Sequence, residues 1–587
     1  MMKKFLAFSI AGAACAFVAG CMTPSATAPG EVFLPPPPEA KQYSDFLIGR
    51  YAYLNQNPAL AAETASRAAK RDPEDGFLLE RAVLFSLLAG ETNDAVRLAK
   101  TGQSKADKLQ AVTRLTLASD YFRRERYEDA REILSTDNFD LYNRVVSRSM
   151  SAWAAVGMDE SEAARTHVIE ALIGDDVLDG VNLFMLAFIQ QSMGEEEDAI
   201  ETFWTVWNER MRLAIACEQF ARTLAAKGDT EAALVLTEQF RNEIGPNPAI
   251  DSLREDILAG KTIKAKPVSA RTGASLSIYA LAAALAAETR EDDIASAYFE
   301  LALFINPDLD LARTMLGNTL DQAGRREEAV YVLDDIKPSS PFYATSRGQL
   351  AWVLMRLDRD AEAIETAQEA FDKTGDRDLA IQIGDLNRAQ ENYDAAYRWF
   401  NKVVTEDEQA GREDWRAYYA RGLAHDALDR WPDAERDLRR SLDIKPDQPQ
   451  VLNYLGYSWV DRGENLEEAF NLIQQAVALS PQSGFIVDSL GWAHYKMGQY
   501  DEAVTYLERA VGLAANDPIL NDHLGDAYWR AGKELQARFQ WEHALNLNPT
   551  DEDAKKIRLK LEHGLDPLSD KAQKLVETDV NAETSVQ

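Results

Sequence analysis

The side chains that could carry covalent or metal chemistry are few and scattered. Cysteines stand only at positions 15, 21 and 217. Cys217 lies in LAIACEQF, a helical stretch without an obvious activating neighbour, and reads as a buried thiol rather than a nucleophile. The six histidines, His167, His425, His494, His523, His543 and His563, form no HExxH or other compact ligand spacing, so no metal site is expected. Gly260, Lys261 and Thr262 imitate the end of a phosphate loop, but Glu255 stands where the motif requires its first glycine. Asp and Glu number 96, so carboxylate pairs are too common to single any out. These residues predict no enzyme, no cofactor and no small-molecule substrate.

The first twenty-two residues carry a different chemistry. MMKKFLAFSIAGAACAFVAGCM has two lysines and then an uncharged, mostly apolar run from Phe5 to Gly20, shorter than the roughly twenty residues that span a bilayer. Residues 1–20 therefore read as a targeting segment. Its end, Val18, Ala19, Gly20 and Cys21, resembles the lipobox of bacterial lipoproteins. That resemblance implies that Cys21 receives a diacylglycerol and becomes the first residue of the mature chain. Met22 carries no acid, which by the same resemblance implies the outer membrane, facing the periplasm. Several acyl chains on one residue, at about 0.8 kcal/mol per buried methylene, hold a protein without a membrane-spanning helix. Residues 21–41, rich in proline and small residues, then read as a tether, with Pro35 to Pro38 favouring polyproline II.

Behind the tether the chain must build something large. The formal charge is -33, and -35 once Lys3 and Lys4 leave with the leader, which opposes nucleic acid as a partner, and an anionic membrane surface as the main one. With Cys15 removed and Cys21 acylated, no intramolecular disulfide is available. Hydrophobic residues make up 46% of the sequence, enough for extensive burial.

What organises that burial is a spacing of small residues. A glycine or alanine followed twelve residues later by alanine recurs at Gly49 and Ala61, Ala118 and Ala130, Ala187 and Ala199, and Ala221 and Ala233. From position 283 the pairs become regular: they begin at Ala283, Gly317, Ala351, Gly384, Gly422, Gly456 (whose partner Ala469 is one residue further on), Gly491 and Gly525, mostly 33 to 35 residues apart. A period near 34 predicts stacked helix pairs, each burying its apolar stripe on its neighbours. Tyr393 and Tyr500 open second helices, and Pro73, Pro307, Pro446 and Pro549 stop helices. Small residues at each crossing should let two helices approach closely, backbone against backbone.

Two stretches show the pattern most fully: GFIVDSLGWAHYKMGQYDEAVTYLERAVGLAAND from Gly484 and PILNDHLGDAYWRAGKELQARFQWEHALNLNPTD from Pro518. They resemble tetratricopeptide repeats, and the copies beginning VLNYLGYSWVDRGENLEEA are similar to an alphaproteobacterial group of repeat lipoproteins. The resemblance implies an all-α solenoid, a right-handed superhelix of helix pairs. The expected organisation is a degenerate arm over 42–259, whose last part, RNEIGPNPAIDSLREDILAG, reads as one extra helix. A basic connector then covers 260–275, a regular array 276–551, a charged capping helix 552–563 and a mobile tail 564–587. Two curved arms should join at the connector.

In this repeat family the first helix of each pair lines the concave side. Carried onto the last three copies, that implies a peptide-binding groove of Asn453, Tyr454, Tyr457 and Asp461; of Asp488, Ser489, Trp492, Tyr495 and Lys496; and of Asp522, His523, Asp526, Trp529 and Arg530. Aromatic faces alternating with acids, amides and bases suit an extended peptide or a helix, burying apolar side chains and fixing polar ones. The same aromatics could instead serve only to pack successive helices. The basic pairs that clamp a terminal carboxylate in chaperone-binding relatives do not occur at the matching places. The expected partners are periplasmic or envelope proteins, with the membrane engaged through the lipid and no nucleic acid. The expected role is a scaffold; assembly or secretion of outer-membrane proteins, and presentation of a peptidoglycan hydrolase, are the alternatives.

Overall fold

A computed structural model describes residues 38–565, apart from 73, 104–108, 137–138, 173, 175, 210–211 and 289–291. The apolar leader, Cys21, the tether up to residue 37, Pro73 and the tail from 566 lie outside the described residues. Among the described residues there are thirty α-helices and no strand. No described helix is long and apolar enough to cross a membrane. The chain forms two compact units, divided between Leu379 and Ala380.

In the second unit the repeat is regular. First helices Trp415–Ala427, Pro449–Arg462, Gly484–Lys496 and Pro518–Arg530 alternate with second helices Tyr393–Gln409, Trp431–Ile444, Leu466–Leu479, Tyr500–Leu513 and Glu534–Asn546. The helix Asp551–His563 closes the stack, one residue longer than expected. Local signals set these boundaries: Asp517 accepts hydrogen bonds from the backbone N–H groups of Ile519 (2.8 Å) and Leu520 (3.1 Å), with Pro518 at the first helical position. Seven residues beyond each small residue of the first helix the backbone turns left-handed, at Glu391, Asp429, Gly463, Gly498 and Gly532, which reverses the chain into the second helix.

The small residues work somewhat differently from a plain backbone-on-backbone contact. A Cβ built at Gly491 would stand 2.6 Å from the Leu507 side chain, and one at Gly525 would stand 2.5 Å from Trp541. Gly384 faces Phe400 in the same way, Gly456 faces Ile473 and Gly422 faces Leu438. Each hollow thus seats a large side chain from the second helix, sixteen or seventeen residues on, and Ala396, Ala434, Ala469, Ala503 and Ala537 are fully buried beside it. A buried Leu, Ile or Phe contributes about 1.5–3 kcal/mol, whereas glycine within a helix costs about 1 kcal/mol relative to alanine. The hollow therefore gives a net gain.

The first unit begins as a similar stack, from Pro38–Leu54 to Thr230–Glu243, followed by the expected extra helix, Pro248–Leu258. Residues 261–269 are non-helical, and a helix starts at Ala270, inside the expected connector. This segment and the next two helices, Ala270–Glu288 and Asp292–Ile305, pack back onto the first helices of their own unit. The expected connector thus lies within the first unit, and the two compact units divide more than one hundred residues later.

Side-chain contacts document the return. The amide of Gln219 donates to the carbonyl of Lys266 (2.8 Å), and the Ser192 hydroxyl donates to that of Val268 (2.6 Å). Ser277 meets Ser149 (2.7 Å), the Tyr298 hydroxyl donates to Asn143 Oδ1 (2.7 Å), and Thr92 donates to Glu300 (3.2 Å). Arg123 stacks over Phe304, and Gly273 faces Trp153. Burial holds the Glu300 carboxyl above its usual range, with the Thr92 hydrogen bond and the Arg325 charge opposing. The first helices Gly76–Leu88, Ala111–Arg123 and Leu141–Gly157 are consequently covered by the chain itself.

Candidate interaction surface

The first helices of the second unit carry all fourteen predicted groove residues, and the structure sorts them into three groups. The first is a set of packing contacts. Tyr454 donates its hydroxyl to Asp426 Oδ2 (2.7 Å) and meets Tyr419 edge-on, so it ties two repeats together. Burial and the Asp426 charge push the Tyr454 phenol well above its ordinary range. Asn453 is half-buried next to it, and Ser489 is buried with its hydroxyl on the Phe485 carbonyl (3.0 Å).

The second group forms a continuous stack. Tyr495 lies on Trp492, centroids 4.6 Å apart and planes at 8°, and Trp492 lies on His523 at 4.1 Å and 16°. Buried Asp488 holds the far side, its carboxylate 3.0 Å from His523 Nδ1. Desolvation alone would depress the His523 pKa, but Asp488, with help from Asp522 and Asp526, raises it above the ordinary value. Tyr457, half-buried, has its phenol pushed up to about 12 by burial, with Asp461 and Asp488 adding to the effect. Lys496 sits over Trp492 at 5.6 Å and pairs with Asp461 across the repeat at 3.5 Å. Arg462 and Asp426 make the equivalent pair one repeat earlier, at 2.9 Å. The Asp461 side chain is 62% exposed and that of Lys496 33%, so this pair stands at the surface beside the stacked rings.

The third group is claimed by the end of the solenoid. Lys560, on the closing helix, reaches Asp522 and Asp526, each at 2.8 Å. The Trp541 indole donates to Asp526 Oδ1 (2.9 Å). Burial pushes the Asp526 carboxyl up to about 6 even though the Lys560 ammonium opposes the shift. Trp529 lies on Trp541 and against Gly564, where a Cβ would be 2.0 Å from its ring. Arg530 donates to the carbonyl of Leu565 (3.0 Å). Asp522, Asp526, Trp529 and Arg530 therefore anchor the cap, and Tyr457, Asp461, Trp492, Tyr495 and Lys496 form the accessible part of the face.

Elsewhere, Cys217 is buried and its thiol is pushed up to about 12, chiefly by desolvation, which suppresses the thiolate. Lys261 pairs with Asp256 at 2.6 Å. No group of three or more His, Cys, Asp or Glu among the described residues is placed to hold a metal ion.

Paired helices at this period, with small residues at each crossing and a capping helix, make the fold a tetratricopeptide-repeat α-solenoid, an architecture suited to binding other proteins. Residues 377–449, 419–484 and 489–551 match the tetratricopeptide repeat model. A TPR repeat-containing protein of Pseudomonas aeruginosa is 26% identical over 191 residues, which is 32% of this chain and 32% of that protein. The match thus spans about a third of the length of that relative. Among solved structures, a tetratricopeptide repeat protein from Parabacteroides merdae is 16% identical, with a TM-score of 0.34 over 45% of this chain and 97% of that one. The APC/C hetero-tetramer Cut9–Hcn1 is 15% identical, with a TM-score of 0.38 over 89% and 96%.

Proposed function

We propose that this protein is a non-enzymatic scaffold, anchored by lipid on Cys21 at the periplasmic face of the outer membrane. It gathers envelope proteins by binding their extended or helical segments along the first-helix face of the second unit. One observation carries the binding site: the Tyr495–Trp492–His523 stack stands beside an exposed Asp461–Lys496 pair and half-buried Tyr457, giving apolar area and two opposite charges within a single face. The corresponding face of the early first-unit repeats is occupied by the chain's own helices, which makes the second unit the more open of the two binding surfaces. The lipid address rests on Val18 to Cys21.

The test is affinity purification of the full-length protein from detergent-solubilised envelopes, with mass spectrometry of what accompanies it. Tyr457→Ala with Lys496→Ala should leave the circular dichroism unchanged and deplete the specific partner at least tenfold. Undiminished recovery with the double variant would remove this face from consideration. Trp529 is unsuitable for such a test, because its loss would loosen the cap.

A further inference from the structure

The helix Pro38–Leu54 is the first of the described helices, and among the described residues none covers its outer side. Along that side Tyr43 (69% exposed), Leu47 (60%), Tyr51 (70%) and Leu54 (69%) follow one another at spacings of four, four and three, with Ile48 beside them. Asp45, Gly49 and Ala52 are buried on the opposite side. At 100° per residue the four exposed residues fall within one quadrant, a continuous apolar and aromatic stripe.

Charge distinguishes this end from the rest of the molecule. Residues 41–71 carry five Lys or Arg against two Asp or Glu, a local net of +3 in a chain of -33. One of the two acids, Asp45, is buried and ion-paired with Arg67 and Arg71, and the other, Glu63, pairs with Arg67. Lys41 and Arg50 are exposed on the helix itself. An exposed stripe of tyrosine and leucine flanked by cations is the composition of a helix that lies in a membrane interface. The tether supplies proximity: Pro38 lies seventeen residues after Cys21, a stretch that at full extension reaches about 60 Å.

We propose that the outer side of Pro38–Leu54 docks on the anionic lipid surface in which Cys21 is anchored, so that the first repeat lies on the membrane rather than hanging free of it. This rests on the lipid-anchor reading given above. The acyl chains on Cys21 hold the protein to the membrane, and a basic apolar face beside them adds affinity for anionic lipid and fixes which side of the first repeat meets it. The negative charge of the whole chain then has a use, since it keeps the remaining repeats off the same surface.

The experiment uses the full-length acylated protein in vesicles of phosphatidylethanolamine and phosphatidylglycerol. Mass spectrometry of the amino-terminal peptide first reports whether Cys21 is acylated, which tests the anchor by itself. An environment-sensitive fluorophore is then placed at Leu47→Cys and, as a control, at Tyr331→Cys, an 81% exposed site far along the sequence. Docking predicts a blue shift and a several-fold rise in emission at 47, quenching by a lipid-borne quencher, and none of these at 331. Lys41→Glu with Arg50→Glu should reverse most of the change at 47, and so should omission of phosphatidylglycerol. An acylated, vesicle-bound protein whose position 47 reads water would overturn the proposal while leaving the anchor standing. So would a blue shift in detergent-free solution that grows with protein concentration, because that would assign the stripe to a second copy of the chain.

Discussion

The indole of Trp153 occupies the space that a side chain at Gly273 would need: a Cβ there would stand 2.1 Å from the ring. These residues are 120 apart in sequence, and their contact marks where the chain re-enters its own first unit. Gly273→Val should force the returning helix away from Leu141–Gly157, lowering stability by about 1–3 kcal/mol as overpacked cores do. Limited proteolysis should then cut within 261–269, and urea unfolding should show the loss. A variant with native protease resistance would mean that the return is not held at this point.

The Gly491 hollow makes a sharper demand. Gly491→Ala should destabilise the second unit by about 1–3 kcal/mol, because Leu507 is only 2.6 Å from the new methyl group. Leu507→Ala should cost about 2–5 kcal/mol by itself. In the double variant the new methyl occupies part of the space that Leu507 vacates, so the two losses should fall short of additive by at least 0.5 kcal/mol. Strict additivity in a double-mutant cycle would show that the two residues do not share the site.

The spacing of small residues made the regular array readable, since every Gly491-like position must accept a large side chain sixteen or seventeen residues later and every such pair leaves its trace at a fixed offset. The extra helix at 248–258 and the closing helix at 551–563 were legible from their flanking prolines and charges. The return of 261–305 onto the first unit was not, because a contact between Trp153 and Gly273 has no period. One signal did point to it: between Arg271 and Glu288 the helix has no charge at all, and a helix that is apolar or small all round belongs inside. The groove residues do lie on the first helices of their repeats, where the repeat period puts them. What the sequence could not show is that Lys560 would reach back to Asp522 and Asp526, since that depends on the angle of the closing helix.

Lys560 gives a prediction with a pH sign. Lys560→Met removes the cation from between two carboxylates and should destabilise the second unit at neutral pH by about 3–5 kcal/mol, the range for breaking a buried ion pair. Asp526 already has its carboxyl raised to about 6, so the variant can shed the stranded charge by taking up a proton. The difference from wild type should therefore shrink as the pH falls from 7 towards 5. Urea midpoints across that interval measure it, and a gap that widens in acid would contradict the arrangement.

His523 acts in the alkaline direction. Its folded pKa lies above the ordinary histidine value, so its contribution to stability is fully present below about 6.5 and is lost as the pH rises through the higher folded value. His523→Gln keeps a polar planar group against Trp492 but cannot take the charge. Wild type should thus be more stable than the variant at pH 6, with the margin narrowing by pH 8.5. A margin independent of pH would place the histidine in the stack without its ion pair to Asp488.

The turn at Glu391 offers a gain. Glu391 sits at φ 60°, the left-handed conformation that Gly498 (77°) and Gly532 (75°) occupy at the corresponding places, and its side chain is exposed. A non-glycine residue there is strained by roughly 1–2 kcal/mol, and glycine relieves that strain while adding about 0.5–1 kcal/mol of entropy to the unfolded chain. Glu391→Gly should therefore stabilise the second unit by about 0.5–1 kcal/mol, and Gly498→Glu should destabilise it by a similar amount. Because Glu391 is remote in sequence from the Tyr457 to Lys496 surface, partner recovery should be unaffected by Glu391→Gly. If Glu391→Gly lowered the unfolding midpoint, the side chain would have to hold the turn by a contact that outweighs the strain.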